Sequence, residues 1–206
     1  MLNNNKGFRK TLVKQPIWQK LAPFSVGKRA FSFKGLKIFM NTATKRLARA
    51  GIISALYVIL SMITFPIASG VIQFRLSEAL CVLALFYFEA PFALAIGCML
   101  SNLITGCTPL DIVFGSVITL IAGIITFICG KTIKNTVVKI ILGGLAPVLL
   151  NAFLLPVIWI FIGVSSEVYI IQVISLTVSQ SVSIYGLGTL LALAIIRLKK
   201  KVRFFS

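Results

Sequence analysis

The chain has 206 residues, of which 58% are hydrophobic, and its mean hydropathy is +1.02. These values exclude an ordinary soluble domain and place the chain among integral membrane proteins. The net charge of +17 does not indicate nucleic-acid binding, because nine Lys and Arg lie in residues 1–39 and most others flank apolar runs, as in membrane proteins.

No residue pattern indicates catalysis, a metal or a cofactor. The chain has no histidine, and no two of its four cysteines are spaced as CxxC, so we expect no zinc site or disulfide framework. The segment CGKT at Cys129–Thr132 resembles the end of a phosphate-binding loop. Such a loop requires a glycine five positions before Gly130, and that position is Ile125. We therefore expect a protein that is not an enzyme, and uphill transport by it would need an ion gradient or a partner ATPase.

Residues 1–43 are basic, and we predict a cytoplasmic extension that is disordered or lies on the anionic membrane surface. The sequence after Met40, NTATKRLARAG, resembles the natural start of a membrane protein. Residues 1–39 could therefore also be an upstream extension without a structural role. They contain no sustained apolar run typical of a signal peptide. Residues 201–206 are predicted to be a basic cytoplasmic tail.

Residues 44–200 are predicted to form one transmembrane substrate-binding domain. Six apolar segments in it approach the length of about 20 residues that a membrane-spanning helix needs. They lie at 47–66, 74–88, 91–106, 110–130, 137–162 and 168–197. The second and third are short, so we expect them to be tilted or bent, or to start inside the protein. The predicted fold class is an all-α integral membrane bundle of six helices.

The distribution of basic residues predicts the orientation of this bundle. Lys and Arg cluster before the first span, between the fourth and fifth, and after the sixth; examples are Arg49, Lys131 and Lys199. With six spans these three clusters fall on one side of the membrane, which the positive-inside rule makes the cytoplasmic side. Both termini are then predicted to be cytoplasmic.

This topology brings distant polar residues to one depth near the outer surface. Ionisable residues inside a membrane usually face a cavity or a partner and mark a substrate path. Two carboxylates and an amide would suit a ligand that is cationic or rich in hydrogen-bond donors. The candidate substrate-binding residues are Glu78, Asp111, Asn102, Arg75, Gln73, Gln180 and Trp159, and Gln172 could reach the same level.

Four of these residues also have simpler interpretations. Arg75 and Glu78 are three residues apart and could pair with each other on a helix. Asp111 directly precedes an apolar run and could be an N-cap. Trp159 could belong to the aromatic belt at the membrane surface and not stack on a planar ligand.

Small residues four positions apart in the first span suggest a contact with a partner helix. The pairs are Ala50 with Ser54 and Gly51 with Ala55, and such spacing lets another helix approach closely. Packing within the bundle would explain the same pattern.

Four motifs, taken in order and at their spacings, resemble the queuosine-precursor transporter family, QueT. They are RLSEAL (Arg75–Leu80), IGCMLSNLITG (Ile96–Gly106), LDIVFGSVITLIAG (Leu110–Gly123) and SVSIYGLGTLLAL (Ser181–Leu193). The resemblance covers roughly residues 44–200. It implies the substrate-binding S component of an energy-coupling factor (ECF) transporter, which works with a transmembrane coupling protein and two ATPases. The small-residue face of the first span is similar to the family's AxxxA contact with the coupling protein, although serine and glycine replace two alanines.

The resemblance also implies a 7-deazaguanine ligand such as pre-queuosine-1 or queuine, taken up across a bacterial cell membrane. In this hypothesis Glu78 and Asp111 each bind one donor group and Asn102 contacts the ring. The alternatives are a secondary transporter driven by ions through either carboxylate, an S component for another vitamin, and a structural membrane protein without a ligand. Buried carboxylates argue against the last alternative.

Overall fold

The computed structural model describes residues 42–68, 75–163 and 168–204, and every element within these ranges is helical. The predicted basic extension up to residue 41, as well as Gln73, lies outside the described residues. The helices are α1 (Thr42–Ala68), a 3₁₀ helix (Leu76–Leu85), α2 (Ala90–Ile104), α3 (Pro109–Thr132), α4 (Thr136–Phe161), α5 (Tyr169–Ser181), a π-helical segment (Val182–Gly188) and α6 (Thr189–Phe204). The last three are continuous, and we call them together the C-terminal helix.

The all-α class and the six apolar segments predicted from the sequence are confirmed. Four helices are long and apolar enough to cross a membrane, and two further apolar helices are shorter. Their positions match the predicted spans, although α1 continues two residues beyond Pro66 to Ala68. The side of the membrane on which each end lies stays a prediction.

The length of the second segment follows from its backbone geometry. Leu76–Leu85 is a 3₁₀ helix of ten residues, whereas most 3₁₀ runs stop after three or four. At about 2.0 Å per residue it extends about 20 Å, against about 15 Å for an α-helix of equal length. Nine of its ten residues are buried, because it packs against α1, α2, α3, α4 and the C-terminal helix. The predicted short span is therefore the central element of the bundle.

The π-helical segment of the C-terminal helix packs directly on this 3₁₀ helix. Gly188 permits the close approach, since a Cβ atom there would lie 3.0 Å from the Ala79 carbonyl oxygen. The Tyr185 hydroxyl donates a hydrogen bond to the Ile141 carbonyl at 2.9 Å, which holds the same segment against α4. Two irregular helical segments thus contact each other inside an otherwise α-helical bundle.

Gly97 sets the packing of α1 against α2. A Cβ atom at this position would lie 2.8 Å from Tyr57 Cβ and 3.1 Å from the Ser54 carbonyl oxygen. Tyr57, which is 2% exposed, belongs to the apolar core together with residues such as Leu94 and Cys98. The absence of a side chain at Gly97 therefore leaves room for Tyr57 to pack in the interior of the bundle.

An ion pair and contacts between cations and aromatic rings stabilise the end of the bundle where α1 begins. Arg49 Nε lies 2.9 Å from Glu89 Oε1, and its guanidinium lies 4.8 Å from the centre of the Tyr87 ring. Lys199 Nζ lies 4.7 Å from the same ring centre. Basic residues from the first and last helices thus meet at one end, while Arg75 follows the opposite end of α1.

The outward faces of the long helices are apolar. Ile63, Phe153 and Ile174, for example, are all exposed. A soluble monomer rarely exposes extensive apolar surface of this kind. Helices that satisfy their own backbone hydrogen bonds suit a hydrocarbon environment, so these faces fit contact with lipid.

Candidate functional site

Glu78 lies at the centre of a buried polar cluster and is only 1% exposed. Its Oε1 accepts a hydrogen bond from the Tyr57 hydroxyl at 2.8 Å. Its Oε2 accepts hydrogen bonds from Asn151 Nδ2 and from the Cys81 thiol, both at 3.2 Å. A buried carboxylate needs donors in place of the water it has lost. These three donors explain how the bundle accommodates Glu78.

Asn151 connects Glu78 to the C-terminal helix. Its Nδ2 also donates to Gln180 Oε1 at 3.3 Å, so one amide group bridges the carboxylate and a second amide. We call Tyr57, Glu78, Cys81, Asn151 and Gln180 the Glu78 cluster. It joins the 3₁₀ helix, α1, α4 and α5, and it offers both donors and acceptors in the bundle interior.

A second carboxylate, Asp111, lies in the first turn of α3 and meets a tryptophan of α4. Asp111 Oδ1 accepts a hydrogen bond from Trp159 Nε1 at 3.0 Å. The Arg75 guanidinium lies 5.8 Å from the centre of the Trp159 ring, within the range of cation–π attraction. We call Asp111, Trp159 and Arg75 the Asp111 cluster.

Thr108, and not Asp111, is the N-cap of α3. The Thr108 hydroxyl accepts a hydrogen bond from the Asp111 backbone N–H at 3.4 Å. An N-cap threonine typically binds the backbone N–H of the residue three positions after it. The alternative interpretation of Asp111 as an N-cap is therefore wrong. Its side chain is turned to Trp159 in the bundle interior instead.

The two clusters lie at different depths. Asn151 and Trp159, which bind the two carboxylates, are eight residues apart in α4, or about 12 Å at the α-helical rise. The sequence predicts one depth for both carboxylates, whereas the structure separates them along the bundle axis. Glu78 is only the third residue of the 3₁₀ helix, so the greater rise of that helix accounts for no more than about 1.5 Å of this separation.

A cavity of about 60 Å³ opens beside the Glu78 cluster. It is lined by Tyr57, Ser61, Thr64, Phe65, Arg75, Ser77, Ser101, Asn102, Thr105 and Cys107. The Tyr57 side chain lines this cavity while its hydroxyl binds Glu78, so this residue contacts both the cavity and the carboxylate. Pockets for drug-sized ligands measure roughly 300–1,000 Å³. The lining side chains would therefore have to move apart to admit a bicyclic ligand.

Asn102 forms part of the cavity wall. Its Nδ2 lies 3.8 Å from Cys98 Sγ and packs against Gly115, where a Cβ atom would lie only 3.1 Å away. This contact brings α2 close to α3 near the start of the Asp111 helix. Asn102 can therefore offer its amide to the cavity next to Arg75.

The structure thus distributes the predicted site residues over three adjoining places. Glu78 and Gln180 belong to one cluster, Asp111, Trp159 and Arg75 to the other, and Asn102 to the cavity wall. Whether they bind a substrate stays a prediction. Among the residues that the structure describes, no three His, Cys, Asp or Glu side chains form a group that could hold a metal ion.

Sequence reasoning missed two important members of the Glu78 cluster, Tyr57 and Asn151. Asn151 gave a signal, since it is an amide in the middle of an apolar predicted span, where polar side chains commonly hydrogen-bond between helices. Its partner was not identifiable, because Asn151 and Glu78 are 73 residues apart in the chain. Tyr57 gave no signal beyond being a tyrosine in a span.

A separate groove of about 430 Å³ runs along the outer faces of α1 and α2. All four small residues predicted to contact a partner, Ala50, Gly51, Ser54 and Ala55, line it. A Cβ atom added to Gly51 would have nothing within 4 Å, so this stretch of α1 is open. Ser54 also packs toward Gly97 through its carbonyl, so the stripe contributes to the bundle as well.

Comparison with known proteins shows what the chain resembles. The family model described as QueT transporter matches residues 47–197. A protein of Lactococcus lactis subsp. cremoris named queuosine precursor transporter QueT is 39% identical over 83 residues. That match covers 39% of this chain and 48% of the relative, so the chain aligns with about half of its length. No solved structure is significantly similar to the chain.

Proposed function

Because the chain belongs to the QueT transporter family, a family of multi-pass cell-membrane proteins, we propose that it binds a queuosine precursor for uptake. The substrate class is a 7-deazaguanine such as pre-queuosine-1 or queuine. The observation that supports this most is the pair of buried carboxylates, Glu78 and Asp111, each held by donors at its own depth in an apolar bundle. A molecule with hydrogen-bond donors at opposite ends matches these two acceptors chemically, and it would reach both once the side chains around the cavity of about 60 Å³ move apart.

In this proposal the Glu78 cluster binds the guanine-like edge of the base. That edge presents a ring N–H and an exocyclic amine, which suit the two oxygens of one carboxylate. The deep position favours this neutral part of the ligand, because the charged amine would lose more hydration there. The N–H groups of the base would replace or join the present donors to Glu78.

The Asp111 cluster binds the cationic amine and the ring of the ligand. A charge-assisted hydrogen bond to Asp111 is stronger than a neutral one, and the Trp159 ring offers a flat face for the base. Arg75, which now lies over that ring, has to leave this face when the base stacks on it. Asn102 then contacts the ring from the cavity wall.

A thermal-shift screen of the purified full-length chain tests this proposal. We expect 7-deazaguanines to raise the unfolding temperature, since a ligand that binds the folded state stabilises it. Riboflavin and thiamin serve as competing candidates and should have no effect. Glu78→Gln and Asp111→Asn should each reduce the shift. Stabilisation by a vitamin alone, or by none of the compounds, would contradict the proposed substrate.

We further propose that an ECF module energises uptake and that the groove on α1 and α2 receives its coupling protein. The support is the open stripe of small residues at Ala50, Gly51, Ser54 and Ala55, which suits close helix contact. The chain should therefore co-purify with a membrane coupling protein and two ATPases when these are expressed together. ATP-independent uptake into liposomes containing this chain alone would instead support a secondary transporter.

A further inference from the structure

Two buried polar atoms next to the Glu78 cluster have no hydrogen-bond partner among the described residues. They are Gln180 Nε2 and Ser183 Oγ, on side chains that are 1% and 0% exposed. Ser183 lies in the π-helical segment, one turn beyond Gln180. Buried polar groups without partners are rare in native proteins and require an explanation, and π-helical segments occur often at functional sites.

The orientation of the Gln180 amide follows from the carboxylate. Asn151 directs its NH₂ group to Glu78 Oε2, to which the Cys81 thiol also donates. The same NH₂ group contacts Gln180, which must therefore present its carbonyl oxygen to Asn151. Gln180 Nε2, the donor, is left on the other side of the amide. This donor is thus fixed in place by a chain of contacts that begins at Glu78.

In this arrangement the Glu78 carboxylate, which accepts hydrogen bonds, lies next to the Gln180 amide, which can donate them. Glu78 Oε2 and Gln180 Oε1 both lie within 3.3 Å of Asn151 Nδ2, so the two side chains are neighbours. A ligand edge bound to Glu78 by N–H groups would bring its next atom toward the Gln180 amide. A carbonyl oxygen there would accept from Gln180 Nε2, whereas an amino group would face a second donor.

We propose that Gln180 and Ser183 determine specificity by donating hydrogen bonds to a ring carbonyl oxygen of the ligand, next to the N–H edge that Glu78 binds. This inference rests on the proposed function, which supplies the deazaguanine. It explains why the site would bind guanine-type bases more tightly than adenine-type bases, which carry an amine in place of the carbonyl oxygen. It also explains why two donors are kept without protein partners in an apolar interior.

Binding titrations of the purified full-length chain test the inference with 7-deazaguanine and with 6-thio-7-deazaguanine, which keeps the ring N–H and the exocyclic amine that Glu78 binds but carries sulfur, a weaker acceptor, in place of the carbonyl oxygen. Gln180→Met should weaken binding of 7-deazaguanine about 10- to 100-fold, the range expected for losing a buried hydrogen bond. It should weaken binding of the thio analogue less, because the hydrogen bond that sulfur accepts from Gln180 is weaker. Ser183→Ala, which removes one oxygen atom, should have a smaller effect in the same direction.

Thr177→Val is the matched control on the same helix, because the Thr177 hydroxyl donates to the Val173 carbonyl. It should change neither affinity. Equal loss for both ligands in Gln180→Met, or loss for neither, would overturn the inference and leave a purely structural role. If the unaltered chain binds neither ligand, the proposed function itself fails. If the unaltered chain binds and Gln180→Met keeps the same preference between the two ligands, only the present inference fails.

Discussion

Replacing Asn151 with leucine tests whether the Glu78 cluster stabilises the bundle. Leucine keeps the branch at Cγ but removes the donor to Glu78 at 3.2 Å and the donor to Gln180 at 3.3 Å. Hydrogen bonds between membrane helices contribute about 0.6 kcal/mol on average and up to about 1.7 kcal/mol. One of these two bonds has a carboxylate acceptor and belongs to the stronger class. We therefore expect a loss of about 2 kcal/mol.

Thermal unfolding of the purified chain in detergent measures this loss. For a chain of this size, 1 kcal/mol corresponds to about 2–4 °C in Tm, so Asn151→Leu should lower Tm by about 4–8 °C. Ser116→Ala is a suitable control, because the Ser116 hydroxyl only bonds to the Ile112 carbonyl of its own helix. Its Tm should stay close to that of the original chain.

A double-mutant cycle with Glu78→Gln identifies the interaction responsible. Contacting residues show coupling energies of about 0.5–3 kcal/mol, so the combined loss in Asn151→Leu/Glu78→Gln should be smaller than the sum of the single losses. An unchanged Tm in Asn151→Leu, together with additive effects in the cycle, would refute the reasoning. The Glu78 cluster would then contribute nothing measurable to the folded state.

Three further substitutions have distinct expected outcomes. Trp159→Phe removes the donor to Asp111 and should weaken binding of pre-queuosine-1, which carries the cationic amine, about tenfold in a titration; unchanged affinity would argue against the Asp111 cluster as a binding site. Gly97→Ala forces a methyl group against Tyr57 and should lower the folded yield in size-exclusion chromatography, whereas Gly51→Ala should not; equal yields would contradict the packing argument. Gly51→Leu fills the groove and should keep ligand binding but abolish co-purification with the ATPases; retained ATPases would show that the groove is not the partner site.

The number and order of the helical segments could be predicted because charges and helix-breaking residues interrupt the apolar runs. The sequence offered no comparable signal for the 3₁₀ and π-helical segments. These differ from an α-helix by one residue in each hydrogen-bonded turn, which changes the apolar pattern little when the segment is buried on all sides. Leu76–Leu85 therefore looked like a short span, although its geometry makes it the central element.

The site was predictable in part for a similar reason. Carboxylates are conspicuous in apolar sequence, so Glu78 and Asp111 stand out at once. Their partners Asn151 and Trp159 come from a remote helix, and only the packing of α4 against α3 and the 3₁₀ helix makes these pairs. The difference in depth between the carboxylates likewise follows from the α4 residues that they contact, Asn151 and Trp159, and composition does not reveal these contacts.

A 3₁₀ helix repeats every three residues, so Glu78 and Cys81 lie on the same face and bond to each other. Inserting one residue between them would rotate all that follows by about 120° and turn part of the buried face away from its neighbours. Inserting three would restore the face but lengthen the segment by about 6 Å. Natural variation in the length of this segment should therefore be rare, and where it occurs it should come in steps of three.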